Sequence, residues 1–497
     1  MKNKQPALMG IDLGTSSTKT VIVDPDGNLL ALAQQEYALQ MPHPGWAEQA
    51  PETWYRAAEA TMAQALDRSG LASENIAGIG LAGQMHSLVC LDAADQPLRP
   101  AIIWADQRSG AQVAAINRQI GRANLAAWTS NPLAAGFMLA SWLWLRENEP
   151  ETCQRTRRML LPKDALRLWL VGEAGSEPSD ASSTLLFDPL QGSWSRPLLE
   201  TLQIDPALLP PIRPSAAVAG GLRPEVAQLT GLRAGTPVVY GGSDQALQAL
   251  AQGVTRPGLV SCTIGTGGQL FATTLQPQPD PDLRLHLFCH ALPQTWHLEA
   301  AILSAGLSLR WLRDQVTGAA DYTTLADAAA AIPSGAEGLF FLPYLAGERT
   351  PLMDPAARGA FIGLTLRHDW RFMARACMEG VVLALRQGLE LMEGLGVAPD
   401  RILASGGGTR HPLWLQLQAD IFNRPVAPSR LQEATARGAA LLAGVGAGVY
   451  PDAQAACART FHPDESALVH PQPAAVETYQ AVFETFSRLY PALKSVY

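Results

Sequence analysis

Two short turns rich in glycine and hydroxyl residues constrain the fold of this chain more than any other feature. The first is the run DLGTSSTK at residues 12–19, and a weaker copy, TIGTGG, occupies residues 263–268 in the other half. Each lies between two β-type runs, which predicts a strand, a tight turn and a second strand. Backbone N–H groups and small hydroxyls of such a turn point the same way and suit phosphate oxygens. A single polar hairpin tip is usually only a turn, but the pair predicts two related lobes that hold a nucleotide.

The length and charge of the chain exclude several classes of protein. At 497 residues it is too long for one ordinary core, so we expect two or more domains. With a formal net charge of -8 and no block of Lys and Arg, it offers no surface for nucleic acid. No apolar run reaches membrane-spanning length, residues 1–7 lack the apolar region of a signal peptide, and the cysteines lack paired spacing. We therefore expect a soluble cytoplasmic enzyme without membrane contact.

Strand and helix patterns alternate along the first half of the chain. The β-type runs cover residues 8–13, 19–24, 29–34, 76–82, 87–91 and 101–104. A helix is predicted over residues 51–66, because Pro51 suits its first turn and its apolar residues recur at helical spacing. A second helix is predicted over residues 110–120. This order of elements predicts an α/β fold.

The second half repeats the pattern after a long connecting region. Residues 189–235 are rich in Pro, Gly and Ser, which predicts long connections around short elements, and a buried strand follows at residues 236–242. Further strands are predicted at residues 259–264, 269–274 and 401–404, and helices at residues 372–395 and 412–422. We therefore predict an N-terminal domain of residues 1–245 and a C-terminal domain of residues 246–497.

Two aspartates lie beside glycine-containing turns, Asp12 at the C-terminal end of a predicted strand and Asp244 just after another. A carboxylate at Asp12 can hold Mg²⁺ through water, because Mg²⁺ keeps much of its hydration shell. A capping or turn aspartate is the simpler interpretation. Asp244 follows two glycines, where backbone can approach a ligand closely, and it can accept the proton of a hydroxyl that attacks a phosphate. It is equally suited to cap the helix that begins near Gln245.

Groups suited to a sugar follow two other predicted strands. Met85 and His86 come after a strand and a glycine, and a histidine that hydrogen-bonds beside a thioether that packs suits a polyol or ketose. A buried structural histidine is the commoner case. The segment WADQR at residues 104–108 combines an indole with the Asp106 carboxylate and the Arg108 guanidinium, a set that can bind sugar hydroxyls. The alternative is an Asp–Arg pair at the surface, which contributes little energy.

Two further motifs carry weaker signals. His286, His290 and His297 do not predict a metal site, because the first two would share a strand face but lie far apart, and no Cys or Glu completes a ligand set. The run SGGG at residues 405–408 follows a predicted strand. Its glycines either permit a turn or let a flat adenine lie against bare backbone.

In their order along the chain, these motifs resemble those of the FGGY carbohydrate kinases, and among them the bacterial xylulokinases. The resemblance runs from Met9 to about Tyr450. Its markers are GIDLGTS at 10–16, GQMH at 83–86, Trp104 with Asp106 and Arg108, LPKD at 161–164, GGSD at 241–244, IGTGG at 264–268, FCHA at 288–291, PYLAGERTP at 343–351, SGGG at 405–408 and ATARGAA at 434–440. So many markers in one order are specific to the family.

The resemblance implies an α/β fold of two actin-like (ribonuclease H-like) ATPase domains with an interdomain cleft. It also implies ATP with Mg²⁺ and transfer of the γ-phosphate to a sugar hydroxyl. By the same resemblance Asp244 is the general base, and Asp12 is the carboxylate on the magnesium side. The remaining positions are assigned as follows: Gly14, Thr15, Ser16 and Lys19 to the first phosphate turn, Gly265 and Thr266 to the second, Gly406, Gly407 and Gly408 to adenosine, and Met85, His86, Asp106 and Arg108, together with Asp244, to the sugar.

Departures from the family pattern lie mainly beside the predicted sugar site. Ser87 stands where a glycine is usual, and Ala105 stands where an asparagine is usual. Gly267 replaces a common serine in the second turn, and Ser141 replaces a lysine of the family's first signature. None of these changes removes a proposed catalytic group.

Our prediction from the sequence is an ATP-dependent kinase that converts D-xylulose to D-xylulose 5-phosphate. The alternative is a kinase for another ketose or polyol, such as ribulose. An actin-like chaperone ATPase is a more remote alternative, since the residues after Tyr450 are too few for a peptide-binding domain. The sequence does not determine the oligomeric state, for which a homodimer is one expectation.

Overall fold

The computed structural model describes residues 6–318 and 321–496, which fall into two compact units. The first unit comprises the chain up to Thr255 together with Leu287–Trp296 and Leu431–His462. The second comprises Arg256–His286, His297–Arg430 and the chain from Pro463 onward. These units differ from the predicted domains 1–245 and 246–497, because two later segments of the chain pack with the first unit.

The strands of the described residues have the following bounds: β1 (Ala7–Leu13), β2 (Ser17–Val23), β3 (Leu29–Glu36), β4 (Glu48–Gln49), β5 (Ile76–Gly83), β6 (Val89–Leu91), β7 (Ala101–Ile102), β8 (Arg158–Leu160), β9 (Phe187–Asp188), β10 (Ser193–Trp194), β11 (Val218–Gly221), β12 (Pro237–Val239), β13 (Gly242–Ser243), β14 (Leu259–Ile264), β15 (Gly268–Thr274), β16 (His286–Cys289), β17 (Trp296–Ile302), β18 (Phe340–Leu342), β19 (Ala360–Ile362), β20 (Arg401–Gly406) and β21 (Val426–Pro428).

The helices have the following bounds: α1 (Pro51–Ser69), α2 (Gly110–Ile120), α3 (Arg122–Thr129), α4 (Met138–Asn148), α5 (Pro150–Arg155), α6 (Pro162–Val171), α7 (Pro178–Ala181), α8 (Arg196–Leu202), α9 (Pro224–Thr230), α10 (Asp244–Ala251), α11 (Gly306–Trp311), α12 (Tyr322–Ala330), α13 (Trp370–Gly394), α14 (Pro412–Phe422), α15 (Ala434–Gly446), α16 (Ala453–Thr460) and α17 (Pro473–Leu493). Among the residues described, no helix is both long enough and apolar enough to cross a membrane.

The sheet of the first unit has the strand order β11-β12-β5-β1-β2-β3, and β13 also pairs with β5. β1 forms an antiparallel hairpin with β2 and pairs in parallel with β5. Side chains of a strand alternate between the two faces of a sheet. Met9 and Ile11 accordingly pack in one core cluster with Trp54 of α1, and Leu8 packs in another with Ala439 of α15. Helices therefore cover both faces of this sheet.

Helix α1 follows from its local sequence. It begins at Pro51, whose missing N–H costs nothing in the first turn, and it buries Trp54, Ala58 and Met62 at helical spacing. It ends before Gly70, whose φ of 61° lies in the left-handed region that glycine adopts readily. The predicted helix is thus confirmed, with three more residues at its C-terminal end.

Helix α15 approaches the first sheet more closely than strand side chains would allow. A Cβ atom at Gly10 would lie 1.8 Å from the carbonyl oxygen of Ala436, and one at Gly80 would lie 1.9 Å from that of Ala439. Glycine on the strands and alanine on the helix therefore let two backbones come into contact. This close packing explains why the run ATARGAA belongs to the first unit although it lies near the end of the chain.

The second unit repeats the arrangement of the first. Its strands include the order β17-β15-β14-β20-β21, in which β14 forms an antiparallel hairpin with β15 and pairs in parallel with β20. Each unit thus contains a hairpin whose first strand has a parallel neighbour. The predicted α/β fold with two related lobes is confirmed.

Element bounds differ from the prediction mainly in the Pro- and Gly-rich region. β14 and α14 have the predicted bounds. Residues 189–235, which predict long connections around short elements, contain the short strand β11 and the short helices α8 and α9. The sequence did not locate these two helices, because Pro197 and Pro224, which favour connections in the sequence, stand in their first turns.

Candidate active site

Three strands of the first unit end side by side, and a predicted site residue lies at the end of each. β5 pairs in parallel with β1 and with β13, so that Leu13 and Ser243 are both register partners of Gly83. Asp12 therefore lies at the end of β1, the predicted sugar residues follow β5, and Asp244 follows β13. Because neighbouring strands lie about 4.8 Å apart, the backbones that carry the two aspartates are separated by about 10 Å. That separation leaves room for reacting groups between them.

Asp12 is half-buried and has two charged neighbours. Its antiparallel register partner is Lys19, whose Nζ lies 2.7 Å from Oε2 of Glu433. Burial raises the pKa of Asp12 to about 7, against the opposing effect of Lys19 and with a further contribution from Glu433. Since burial disfavours the charged carboxylate, a cation bound there would restore the charged form. Asp12 is therefore suited to hold a cation.

The first predicted phosphate turn is held in place by side chains from elsewhere in the first unit. The Tyr37 hydroxyl donates to the carbonyl oxygen of Gly14 at 2.6 Å. Thr15 accepts two hydrogen bonds, one on its carbonyl oxygen from Gln49 Nε2 at 2.6 Å and one on Oγ1 from Trp104 Nε1 at 2.8 Å. A turn held in one conformation presents its backbone N–H groups in one direction, as phosphate binding requires.

Asp244 is the first residue of α10, so the N-cap position belongs to Ser243 instead. Its Oδ1 accepts a hydrogen bond from the backbone N–H of Gln245 at 2.7 Å. Gly241 has a φ of 84°, and a Cβ there would lie 2.0 Å from the carbonyl oxygen of Leu81. Only glycine fits at that position, because a side chain there would prevent the backbone before β13 from packing against β5. Asp244 thus lies one residue beyond the N-cap position, and its carboxylate still accepts from an N–H of the first turn, where an acidic side chain is favourable.

Met85 is buried, and His86 is half-buried beside two aromatic rings. The ring centroid of His86 lies 3.9 Å from that of Phe137 and 6.0 Å from that of Phe288. His86 Nδ1 lies 2.8 Å from the carbonyl oxygen of Ser183. Because a carbonyl oxygen only accepts, Nδ1 carries the proton, and Nε2 of the neutral ring is an acceptor. An acceptor at Nε2 suits a sugar hydroxyl.

Ser87 links the two segments of the predicted sugar site. Its side chain is fully buried. The Oγ donates to the carbonyl oxygen of Met85 at 3.1 Å and accepts from the backbone N–H of Trp104 at 3.2 Å. Ser87, which replaces the family's usual glycine, therefore connects the two segments. Its hydroxyl hydrogen-bonds to a backbone group of each.

Asp106 and Arg108 come together, but they pair with each other. Asp106 Oδ2 accepts from the backbone N–H of Ala47 at 2.7 Å, and its two oxygens lie 3.0 and 2.9 Å from Arg108 Nε. Arg108 also pairs with Glu48 at 2.7 Å and lies 3.6 Å from the ring centroid of Trp46. Both side chains are buried, which excludes the surface-pair alternative. Their contact with the sugar stays a prediction, and this geometry favours a role in holding the loop.

The second predicted phosphate turn and the glycine run come together within the second unit. Ile264 lies opposite Gly406 in the parallel pairing of β14 with β20. The carbonyl oxygen of Thr266 accepts two backbone hydrogen bonds at 3.0 Å, and that of Gly265 accepts one at 2.9 Å, all from residues 305–307. The N-terminal end of α11 and the residue before it therefore hold this turn from one side.

A cavity of about 410 Å³ lies between these two segments of the second unit. Its lining includes Gly265 and Thr266 of the turn, Gly407 and Gly408 of the glycine run, and the Trp414 ring. The volume is in the range of small-molecule sites, and bare glycine backbone beside apolar side chains suits a flat aromatic ring. Gly406 is not part of this lining, and its φ of 73° indicates a role in the turn itself.

Magnesium binding does not need a large ligand cluster in the protein. Among residues 6–318 and 321–496, no group of three or more His, Cys, Asp or Glu side chains could hold a metal ion. Mg²⁺ is usually bound by one or two carboxylates, with substrate phosphates and water as the other ligands. Asp12, with its pKa raised by burial, fits that donor set.

A buried group of charged residues near the site was not identified from the sequence. Its members are all fully buried: Lys163, Asp164, Arg167, Glu177 and Asp180. The marker LPKD was a signal for the first two, because a Lys–Asp pair inside an apolar run needs partners when buried. No local pattern indicated the partners at residues 177 and 180, which the fold brings to Lys163 from another segment.

This chain is similar to known proteins over nearly its whole length. Residues 7–251 match the profile of the FGGY family of carbohydrate kinases, N-terminal domain, and residues 260–447 match that of its C-terminal domain. A xylulose kinase of Bacillus subtilis (strain 168) is 35% identical over 489 residues, which cover 98% of this chain and 97% of that protein. A gluconokinase of the same organism is 31% identical over 447 residues, covering 88% and 86%. A solved structure of a "xyloylose kinase from Brucella ovis" has a TM-score of 0.92 at 35% identity and covers 99% of this chain and 100% of its own.

Proposed function

The chain belongs to the FGGY family of carbohydrate kinases, and we propose that it transfers the γ-phosphate of ATP to the 5-hydroxyl group of D-xylulose. The xylulose kinases described above support the choice of sugar, because their similarity spans nearly the whole chain. The observation that carries the proposal is the pairing of β5 with β1 and β13, which sets Asp12, His86 and Asp244 at neighbouring strand ends.

Asp244 is the general base in this proposal. As the 5-hydroxyl oxygen bonds to the γ-phosphorus, the bond from that phosphorus to the bridging oxygen breaks and ADP leaves. The hydroxyl proton passes to a carboxylate oxygen of Asp244. Because phosphoryl transfer passes through a loose transition state, the chain contributes chiefly positioning and charge neutralisation, and the proton moves late.

Each reactant has its own set of residues. His86 Nε2 accepts a hydrogen bond from a sugar hydroxyl, and Met85 packs beside it. The backbone N–H groups of residues 15, 16 and 266 bind phosphate oxygens, while those of Gly14 and Gly265 close the two turns by donating to Ser17 and Gly267. The adenine ring occupies the cavity of the second unit, beside Gly407 and Gly408.

Asp12 holds Mg²⁺ through water in this proposal. Bound Mg²⁺ neutralises the charge that develops on the phosphate oxygens. Lys19 forms an ion pair with Glu433 and keeps a positive charge next to the Asp12 carboxylate. Since an ionised Asp12 is required and its pKa is raised to about 7, a cation and a proton compete for the same group.

The substrate is tested by ADP formation with a panel of D-xylulose, D-ribulose, a polyol, gluconate and no sugar. We expect the highest kcat/KM with D-xylulose and a product phosphorylated at the 5-hydroxyl. Gluconate is included because of the similarity to a gluconokinase. A higher kcat/KM with another member would reassign the substrate, and ATP hydrolysis stimulated by unfolded peptide but not by sugar would favour the chaperone alternative.

The His86→Ala variant is expected to raise the KM for the sugar by about 3- to 10-fold, since one hydrogen bond is lost. The KM for ATP should stay unchanged, because the cavity assigned to adenine is lined by other residues. Steady-state kinetics with each substrate varied in turn measure both constants. His462→Ala, at an exposed histidine of the same unit, is the matched control and should change neither. Equal effects of His86→Ala on both constants would move His86 out of the sugar site.

A further inference from the structure

Residues 177–184, which we call the serine segment, form a buried polar stretch of the first unit. Six of its eight residues are polar in the sequence EPSDASST. All six polar side chains are fully buried. Burying so many hydroxyl and carboxyl groups is costly unless each finds a partner. The hydrogen-bond partners of these side chains therefore indicate which parts of the unit the segment connects.

Ser179 connects the segment to the strand end that carries Asp244. Its Oγ donates to the carboxylate of Glu177, 2.9 Å away, and accepts from the backbone N–H of Ser243, also at 2.9 Å. That N–H belongs to the residue directly before Asp244. The position of the proposed base, directly after β13, therefore depends on a hydroxyl from a distant segment.

Ser183 connects the same segment to His86. The backbone N–H of His86 donates to Ser183 Oγ at 3.2 Å, while His86 Nδ1 donates to the carbonyl oxygen of Ser183 at 2.8 Å. The φ of His86 is 70°, a left-handed conformation that a residue other than glycine keeps only when its surroundings hold it. Ser183 thus supports both the backbone conformation and the ring tautomer of His86.

Buried charged residues hold the serine segment in place. Lys163 Nζ lies 2.8 Å from Asp164, 3.5 Å from Asp180 and 3.7 Å from Glu177, and it donates to the carbonyl oxygen of Tyr240 at 3.3 Å. One cation therefore joins the segment to α6 and to the strand that leads to Asp244. Such buried ion clusters add little net stability but select one arrangement over others.

Asp244 itself is electrostatically close to the segment. Burial raises the pKa of Asp180 well above its usual range, Lys163 opposes this, and Asp164, Glu177 and Asp244 raise it further. The Asp244 carboxylate therefore lies within electrostatic range of the segment.

We propose that Ser179 and Ser183 are positioning residues, which hold the general base Asp244 and the sugar-side His86 in one hydrogen-bonded frame. This inference rests on the proposed function, because it assigns these serines to the same sugar phosphorylation. Ser179 acts on the base through the backbone of Ser243. Ser183 acts on the sugar contact through the backbone and ring of His86.

The test separates kcat from KM in two variants. Ser179→Ala is expected to lower kcat about tenfold with little change in the sugar KM, because it misplaces the base. Ser183→Ala is expected to raise the sugar KM about threefold, no more than His86→Ala does, with no change in the KM for ATP, because it removes the bond to the His86 backbone but keeps the carbonyl that binds Nδ1. Should Ser179→Ala fail to fold, as judged by circular dichroism, Ser183→Ala carries the test, since its hydroxyl does not bond to Glu177.

Thr184→Ala is the matched control. Its buried hydroxyl donates to the carbonyl oxygen of Ala181 at 2.6 Å and accepts from the backbone N–H of Leu186 at 3.1 Å, within its own stretch of chain. We expect it to lower Tm while leaving kcat and both KM values at the wild-type level. Serine variants that behave like Thr184→Ala, with lower Tm and normal kinetics, would overturn the inference. Absence of sugar-dependent ADP formation in the wild type would instead overturn the proposed function.

Discussion

The Asp244→Ala variant is expected to fold like the wild type and to lose at least about 10²-fold of its sugar-dependent ADP formation. Removing a general base costs about 2.7 kcal/mol of transition-state stabilisation at this fold-change. The cost to stability should be much smaller, because Asp244 is partly exposed in the first turn of α10, where an acidic side chain contributes about 0.3–1 kcal/mol. The Asp244→Ala variant is therefore expected to lose most of its activity and to keep most of its stability.

A coupled ADP assay and a thermal melt of the same preparation measure the two quantities. Asp67→Ala is the control, since Asp67 is an exposed aspartate on α1 of the same unit. It should leave both turnover and Tm near the wild-type values. Turnover of Asp244→Ala within a few-fold of wild type would reject its assignment as the base.

The Gly10→Ala and Gly80→Ala variants are expected to lose about 3 kcal/mol or more of unfolding free energy, the upper end for overpacking. Each added Cβ would lie less than 2 Å from a carbonyl oxygen of α15, so that helix and sheet must separate. A rigid backbone oxygen cannot rotate away as a flexible side chain could. Since folded proteins are stable by only about 5–15 kcal/mol, this is a large share of the total.

Urea unfolding followed by circular dichroism measures this loss. Gly110→Ala is the matched control in the same unit, because no atom lies within 4 Å of the added Cβ and its φ is not positive. We expect that change to be neutral or slightly stabilising, since alanine has less conformational entropy to lose. Midpoints of Gly10→Ala and Gly80→Ala that match the control would contradict the close packing of α15.

Much of the fold could be predicted because its signals are local. The hairpin turns, the helix at Pro51 and the bounds of α14 depend on residues within a few positions of each other. The helices α8 and α9 were not predicted, because a proline indicates a loop or a first helical turn equally well until its neighbours in space are known.

The candidate site could be predicted only in part. Asp12 lies at the end of a strand, and Met85, His86 and Asp244 each follow one, which made them visible in the sequence. Arg108 could not be separated from the sugar contacts, because the Trp46 ring that covers it and the Glu48 carboxylate that pairs with it lie some 60 positions earlier. The serine segment carried no chemical motif of its own.

The two glycine- and hydroxyl-rich turns show what the sequence determined by itself and what it could not. Their local pattern determined the hairpins and the repeated lobe, because turn chemistry depends on adjacent residues, and the order of all the markers along the chain determined the resemblance to a kinase family. Only the tertiary structure decided that α15 packs on Gly10 and Gly80, and that Ser179 and Ser183 hold Asp244 and His86. Those contacts join segments distant in sequence, and their strength depends on burial and on interatomic distance, which no short pattern of residues records.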